Sequence, residues 1–104
     1  MIIYNVTVKV AHAIEKEWLH WMKSEHIPDL MNTGLFVDFR LCRLLEQDET
    51  DGLTFTVQYH CDSMEHYQTY IAEHSTAMRE KGLKKFGNQF IAFRTVMQVE
   101  AAYQ

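Results

Sequence analysis

Six histidines, two cysteines and fourteen acidic side chains supply the reactive groups of this 104-residue chain. A helical zinc site needs ligands three or four residues apart, as in H-E-x-x-H. His12, His20 and His26 are separated by eight and six residues, and His66 and His74 by eight. No pair fits, so no metal site is expected, and surface histidine is the favoured reading. Glu25 falls on the same helical stripe as Ile14, Trp18 and Trp21, beside His26. Among aromatic rings its carboxyl would be pushed towards the neutral acid and would serve as a proton carrier. The alternative is a fraying helix that turns Glu25 to water, and the cost of desolvating a charge favours it. His26 and His74 fall towards one side of the helical layer. With Trp18, Tyr59 and Tyr67 they would line a cleft between helices and sheet, although each histidine alone suits a satisfied, half-buried position. Glu25, His26 and His74 are therefore the candidate catalytic groups. Arg40 and Arg94 would bind an anion or pair with acids such as Asp38, and the ion-pair reading is preferred. No phosphate loop, nucleophile elbow or paired-carboxylate motif is present.

The elements that must position these groups follow from periodicity. Ile2 to Val10 alternates, with Tyr4, Val6, Val8 and Val10 to one side and Asn5, Thr7 and Lys9 to the other, which predicts a strand. A helical stripe runs from Ala13 to about His26, and Ile27-Pro28 is expected to end or kink it. Leu35 to Leu45 reads as a strand with Val37, Phe39 and Leu41 on one face and Phe36, Asp38, Arg40, Cys42 and Leu44 on the other. Glu46 to Gly52 is an acidic turn, and Leu53 to Cys61 is the returning strand. Asp62 with Glu65 forms an expected capping box for a second helix bearing Met64, Tyr67, Ile71, Ser75 and Met78. Gln89 to Glu100 closes the order as a strand with Ile91, Phe93, Met97 and Val99 on its apolar side.

The result is β-α-β-β-α-β, a ferredoxin-like α+β arrangement with a four-stranded antiparallel sheet and two helices on one face. The helices are expected on the face with Tyr4, Val6, Val37, Phe39, Val57, Tyr59 and Phe93. The other face mixes Asn5, Thr7, Arg40, Gln58, His60 and Arg94 with Phe36, Cys42, Leu44, Ala92 and Val96. Such a mixed apolar surface predicts a contact with a second copy, through Phe36, Arg40, Leu44 and Arg94.

Composition bounds the rest. One domain spans residues 1–104. Apolar residues make up 47% and charged residues 23%, as in globular proteins. A net charge of -4 argues against nucleic-acid and anionic-membrane binding. The strand order is shared with RNA-recognition domains, but Thr54, Thr56, Gln58 and His60 offer no stacking rings on the third strand. The apolar opening lacks a basic leader, and no run spans a bilayer. Cys42 and Cys61 are offset too far to bridge, so reduced thiols and a cytoplasmic location are expected.

The blocks MIIYNVTV, WLHWMKSEHIPDLMNTGLF, FTVQYHCDSM and KKFGNQFIAFRTV resemble an uncharacterised bacterial domain family. That family is similar to the dimeric α/β-barrel, antibiotic-biosynthesis-monooxygenase-like superfamily, in which two ferredoxin-like units pack sheet to sheet. The resemblance implies a homodimer and leaves the activity open. Haem-degrading members use an Asn on the first strand with a Trp and a His on the second helix. Asn5 matches the first, but Tyr70 and Arg79 stand at the other positions and His74 lies a turn early, so no cofactor is expected. The resulting expectation is a small-ligand-binding domain using Asn5, Trp18, His26, Tyr59, Tyr67 and His74. The alternatives are a cofactor-independent monooxygenase- or isomerase-like enzyme and a purely structural dimerisation domain.

Overall fold

The computed structural model describes residues 1–103. Strands β1 (Ile2–Val10), β2 (Asp38–Arg43), β3 (Leu53–Cys61) and β4 (Phe90–Gln98) form one antiparallel sheet in the order β2-β3-β1-β4. Each crossover therefore spans an inserted strand, which is the ferredoxin-like topology. Residues facing each other across an antiparallel pair share a sheet face, so the register assigns both surfaces. Tyr4 lies opposite Tyr59 and Val96, Tyr59 lies opposite Phe39, and Val6 lies opposite Val57 and Arg94. This is the face that takes the helices.

Two expectations about the faces are corrected by this register. In β4 the phase is inverted: Ala92, Arg94 and Val96 stand on the helix side, and Ile91, Phe93 and Met97 on the outer face. Both sides of β4 carry apolar residues, and the larger ones point away from the core, so alternation alone selects the wrong side. Phe36 is not on the outer face either. It precedes β2, is only 5% exposed, and packs on Tyr4, Tyr59 and Tyr70. Its ring enters the core from the loop, where strand alternation has not begun. Leu44, half-buried, lies just past the end of β2, leaving Arg40 as the expected contact residue within the outer face.

The first crossover begins with a single 3-10 turn (His12–Ile14) and continues as α1 (Glu15–Trp21), a π-helical turn (Met22–His26) and α2 (Ile27–Met31). Pro28 thus opens α2 instead of ending the helix. In an unbroken helix its ring would clash with the carbonyl four residues back, and its missing N–H would orphan that group. The wider turn, closed by i→i+5 bonds, relieves both problems, and the Ser24 hydroxyl donates to the His20 carbonyl at 2.7 Å.

The second crossover starts one residue later than expected. Ser63, not Asp62, is the N-cap of α3 (Met64–Glu73): its Oγ accepts from the His66 N–H at 3.2 Å. At His74 the backbone leaves helical geometry, and α4 (Ser75–Phe86) continues beyond it. The core between layers is aromatic. Tyr4 packs against Phe36, Tyr59, Tyr67 and Tyr70 with ring centroids 5.5–6.2 Å apart, and Trp18 lies 5.1 Å from Phe55. Such a core buries the helix-facing side of β1 and β3 and leaves the outer face uncovered. No helix among the described residues is long and apolar enough to cross a membrane.

Gly52 joins the acidic loop to β3 where the chain passes the end of β1. A Cβ there would lie 2.2 Å from the Val10 carbonyl oxygen. Gly52→Ala must displace the paired backbone and is expected to cost at least about 2 kcal/mol. Urea unfolding checks this; a loss below about 0.5 kcal/mol, within the range of ordinary surface changes, would show that the loop yields freely.

Candidate functional site

The helix break decides which residues face the sheet. Ile14, Trp18, Trp21 and Met22 are buried on one stripe. Continued at α-helical spacing, that stripe would bring Glu25 and Asp29 inward. The π-turn encloses one residue more than an α-turn, so the phase advances by one. His26 turns inward with Ile27 and Leu30, while Glu25 is exposed. The His26 ring stacks on Trp21 at 4.7 Å.

Beside that ring lies a cavity of about 60 Å³ between the helices and the sheet. Tyr4, Val6, Val8, Val57 and Tyr59 form its floor, and Trp18, Trp21 and Leu30 one wall. Tyr70, Met78, Arg79 and Gly82 form another wall, with Ala92 and Arg94 along β4. Gly82 leaves room that a side chain would take: an added Cβ would rest 3.6 Å from the Trp21 ring.

The lining is basic at its rim and reluctant to ionise within. His26 Nδ1 is buried without a hydrogen-bond partner. Burial lowers the His26 pKa to about 4; nearby Asp29 opposes the shift, and Arg94 and Lys81 reinforce it. The imidazole is therefore neutral near pH 7. Burial also raises the Tyr59 and Tyr70 hydroxyls well above the usual phenol value, so both remain protonated. Arg79 and Arg94 are exposed guanidiniums at the cavity rim. The arrangement can donate hydrogen bonds and enclose apolar atoms.

Of the residues expected at a site, the cavity brings together Trp18, His26 and Tyr59. The others lie elsewhere. Tyr67 is half-buried behind Tyr4, at 5.5 Å between rings. His74 sits at the break between α3 and α4, stacked on Tyr70 at 6.2 Å. Glu25 faces a shallow surface groove with Asp29, Lys81, Lys84 and Lys85. Asn5 is on the outer face, where its amide nitrogen donates to Thr7 and Thr95 at 3.2 and 3.3 Å. Its carbonyl oxygen is buried without a partner.

Tyr4, Tyr70 and Arg79 were not among the expected site residues, and Arg94, expected on the outer face as an anion-binding or ion-pairing group, lines the cavity instead. Tyr70 follows Tyr67 by three residues, a spacing that places both on neighbouring parts of one helix face. The side of the sheet that Arg94 takes carried no local signal, because it depends on the β1–β4 register. Among the described residues no three His, Cys, Asp or Glu side chains are grouped to hold a metal ion. Nor does the cavity fit a haem: 60 Å³ is far too small for a porphyrin.

The family described as a domain of unknown function (DUF4286) matches residues 1–100, and the chain belongs to it. No curated protein matches. Solved structures share the fold at low identity. A Deinococcus radiodurans protein, provisionally assigned as an antibiotic biosynthesis monooxygenase, is 16% identical with a TM-score of 0.72, covering 100% of this chain and 97% of its own. A dimeric ferredoxin-like protein from an uncultured marine organism is 11% identical with a TM-score of 0.72, covering 98% and 97%. A variant of MhuD, with two manganese protoporphyrin IX molecules bound per active site, is 16% identical with a TM-score of 0.70, covering 100% and 99%.

The buried imidazole links stability to pH. In the unfolded chain His26 takes up a proton near the ordinary imidazole value of 6.5, whereas in the folded chain it does so only near 4. Its contribution is therefore present above pH 6.5 and lost as the pH falls towards 4. Between pH 7 and 5 the loss should be about 2 kcal/mol. Urea unfolding of wild type and His26→Leu at both pH values checks this. The variant should lack that part of the decline; an equal decline in both would contradict the burial of the ring.

Proposed function

We propose that the chain is a homodimeric α/β-barrel domain that binds a small organic ligand in the cleft between its helices and sheet. The observation that carries the ligand reading is the aromatic cavity with the unpartnered His26 Nδ1 at its wall. A buried polar atom costs stability unless something bonds to it. Apolar concavity with a few convergent polar groups is the usual form of a small-molecule site. Binding stands ahead of catalysis here, since a base with a conjugate-acid pKa of about 4 removes protons weakly near neutrality. Glu25 and His74 do not line the cavity with it.

The dimer reading rests on the outer sheet face. Phe93 is 64% exposed, Ile91 56% and Met97 40%, all on the outer side of β4. Next to them stand Ile3, Asn5 and Thr7 of β1, with Gln58 and His60 of β3 and Arg40 of β2 beyond. An exposed apolar strip, interrupted by Thr95 and bordered by polar groups, suits a self-complementary contact. The marine structural neighbour is itself described as dimeric.

Two measurements test these parts separately. In a thermal-shift screen of small organic compounds, hits should stabilise wild type and His74→Ala but not His26→Ala. Equal stabilisation of all three would remove His26 from the site. Light scattering at micromolar protein should find a dimer for wild type and a folded monomer for Phe93→Glu. A monomeric wild type would overturn the interface.

A further inference from the structure

The charges around the cleft narrow what it can hold. No Asp or Glu lines it, yet two guanidiniums do. Among the described residues neither Arg79 nor Arg94 lies in ion-pair contact with a carboxylate, although Arg43, Lys81 and Lys85 do. This is a local feature of a chain with net charge -4, in which acids outnumber bases. Arg94 reaches the cavity from β4, opposite Val6, and Arg79 from α4. The field of Arg94 acts on both His26 and the Tyr70 hydroxyl, and that of Arg79 also acts on Tyr70. The two cations therefore line one cleft from different layers.

We propose that the ligand of this cleft is a small monocarboxylate, held by Arg79 and Arg94 with His26 Nδ1 donating to it. This deepens, and rests on, the reading of the cleft as a ligand site. A carboxylate offers two oxygens and about four lone-pair sites, which matches convergent guanidinium and imidazole donors. The aromatic remainder of the lining calls for an apolar body behind that head group, which inorganic anions lack. Size sets the rest. At roughly 10–15 Å³ for each water-sized atom, 60 Å³ admits about four to six non-hydrogen atoms. A longer molecule would extend past the exposed arginine side chains.

Propionate, its neutral isostere propionamide, and inorganic phosphate separate the possibilities. Each is titrated into the wild-type protein, with binding followed by backbone amide shifts. Propionate should bind about ten-fold more tightly than propionamide, the least expected from one charge-assisted hydrogen bond, and more tightly than phosphate. That preference should collapse in Arg79→Gln and in Arg94→Gln and persist in Lys16→Gln, a charge removed from the remote surface of α1. The amide spectrum of each variant verifies its fold. Propionamide binding as tightly as propionate, phosphate binding more tightly, or the preference surviving both arginine substitutions would overturn the carboxylate assignment and leave the cleft reading standing. Absence of binding by all three probes would overturn both.

Discussion

One turn of helix organises the candidate site. Between Met22 and His26 the chain closes i→i+5 bonds, and this extra residue does two things together. It admits Pro28 to a helix that would otherwise stop, and it rotates every later side chain by one position. The inward stripe consequently passes from Trp21 and Met22 to His26, Ile27 and Leu30. A carboxylate that would have faced the core is left in water, and an imidazole takes its place. Exposing Glu25 avoids the desolvation of a charge, while a histidine enters the layer at the cost only of remaining neutral. The buried imidazole, its stacking on Trp21 and its orphaned nitrogen all follow from that shift.

The sheet contributes the other half of the site through cross-strand rows. Tyr4 and Tyr59 stand side by side because β1 and β3 pair in that register. Their rings meet Phe36 and Tyr70 from the loop and the second crossover. Rings of this size fill most of the interlayer space but leave a gap where Gly82 supplies no side chain. The same register places Arg94 beside that gap. The outer face then carries the large apolar residues of β4, so one strand serves two surfaces: a short-sided, partly cationic one inside and a bulky one outside.

Much of the fold was legible in the sequence, because strands and helices announce themselves by period. The alternation of β1 and β3, the stripe Ile14-Trp18-Trp21-Met22 and the order of elements all stand in the structure. What periodicity could not supply was phase. In β4 both faces are apolar, so alternation was present but its direction was ambiguous; only pairing with β1 resolves it. In the first helix the phase slips at the π-turn, and the nearest visible sign was Pro28, which equally suggests a helix end. The site suffered from both errors. The cavity gathers Trp18, His26 and Tyr59; Glu25 is exposed, as the favoured reading had it, but through a π-turn instead of fraying, and Arg94 lies on the sheet face opposite to the one expected. Asn5 was drawn in by resemblance, whereas its odd position in β1 sets it on the face away from the cleft.

The cleft depends most on the inward rotation of one imidazole, and nuclear magnetic resonance reads it directly. The ring protons of His26 should show cross-relaxation with the Trp21 indole and titrate with a pKa of about 4. A ring that titrates near 6.5, with no such contact, would mean that the helix continues through residues 22–26 without a change of phase and that the cleft lacks its central polar group.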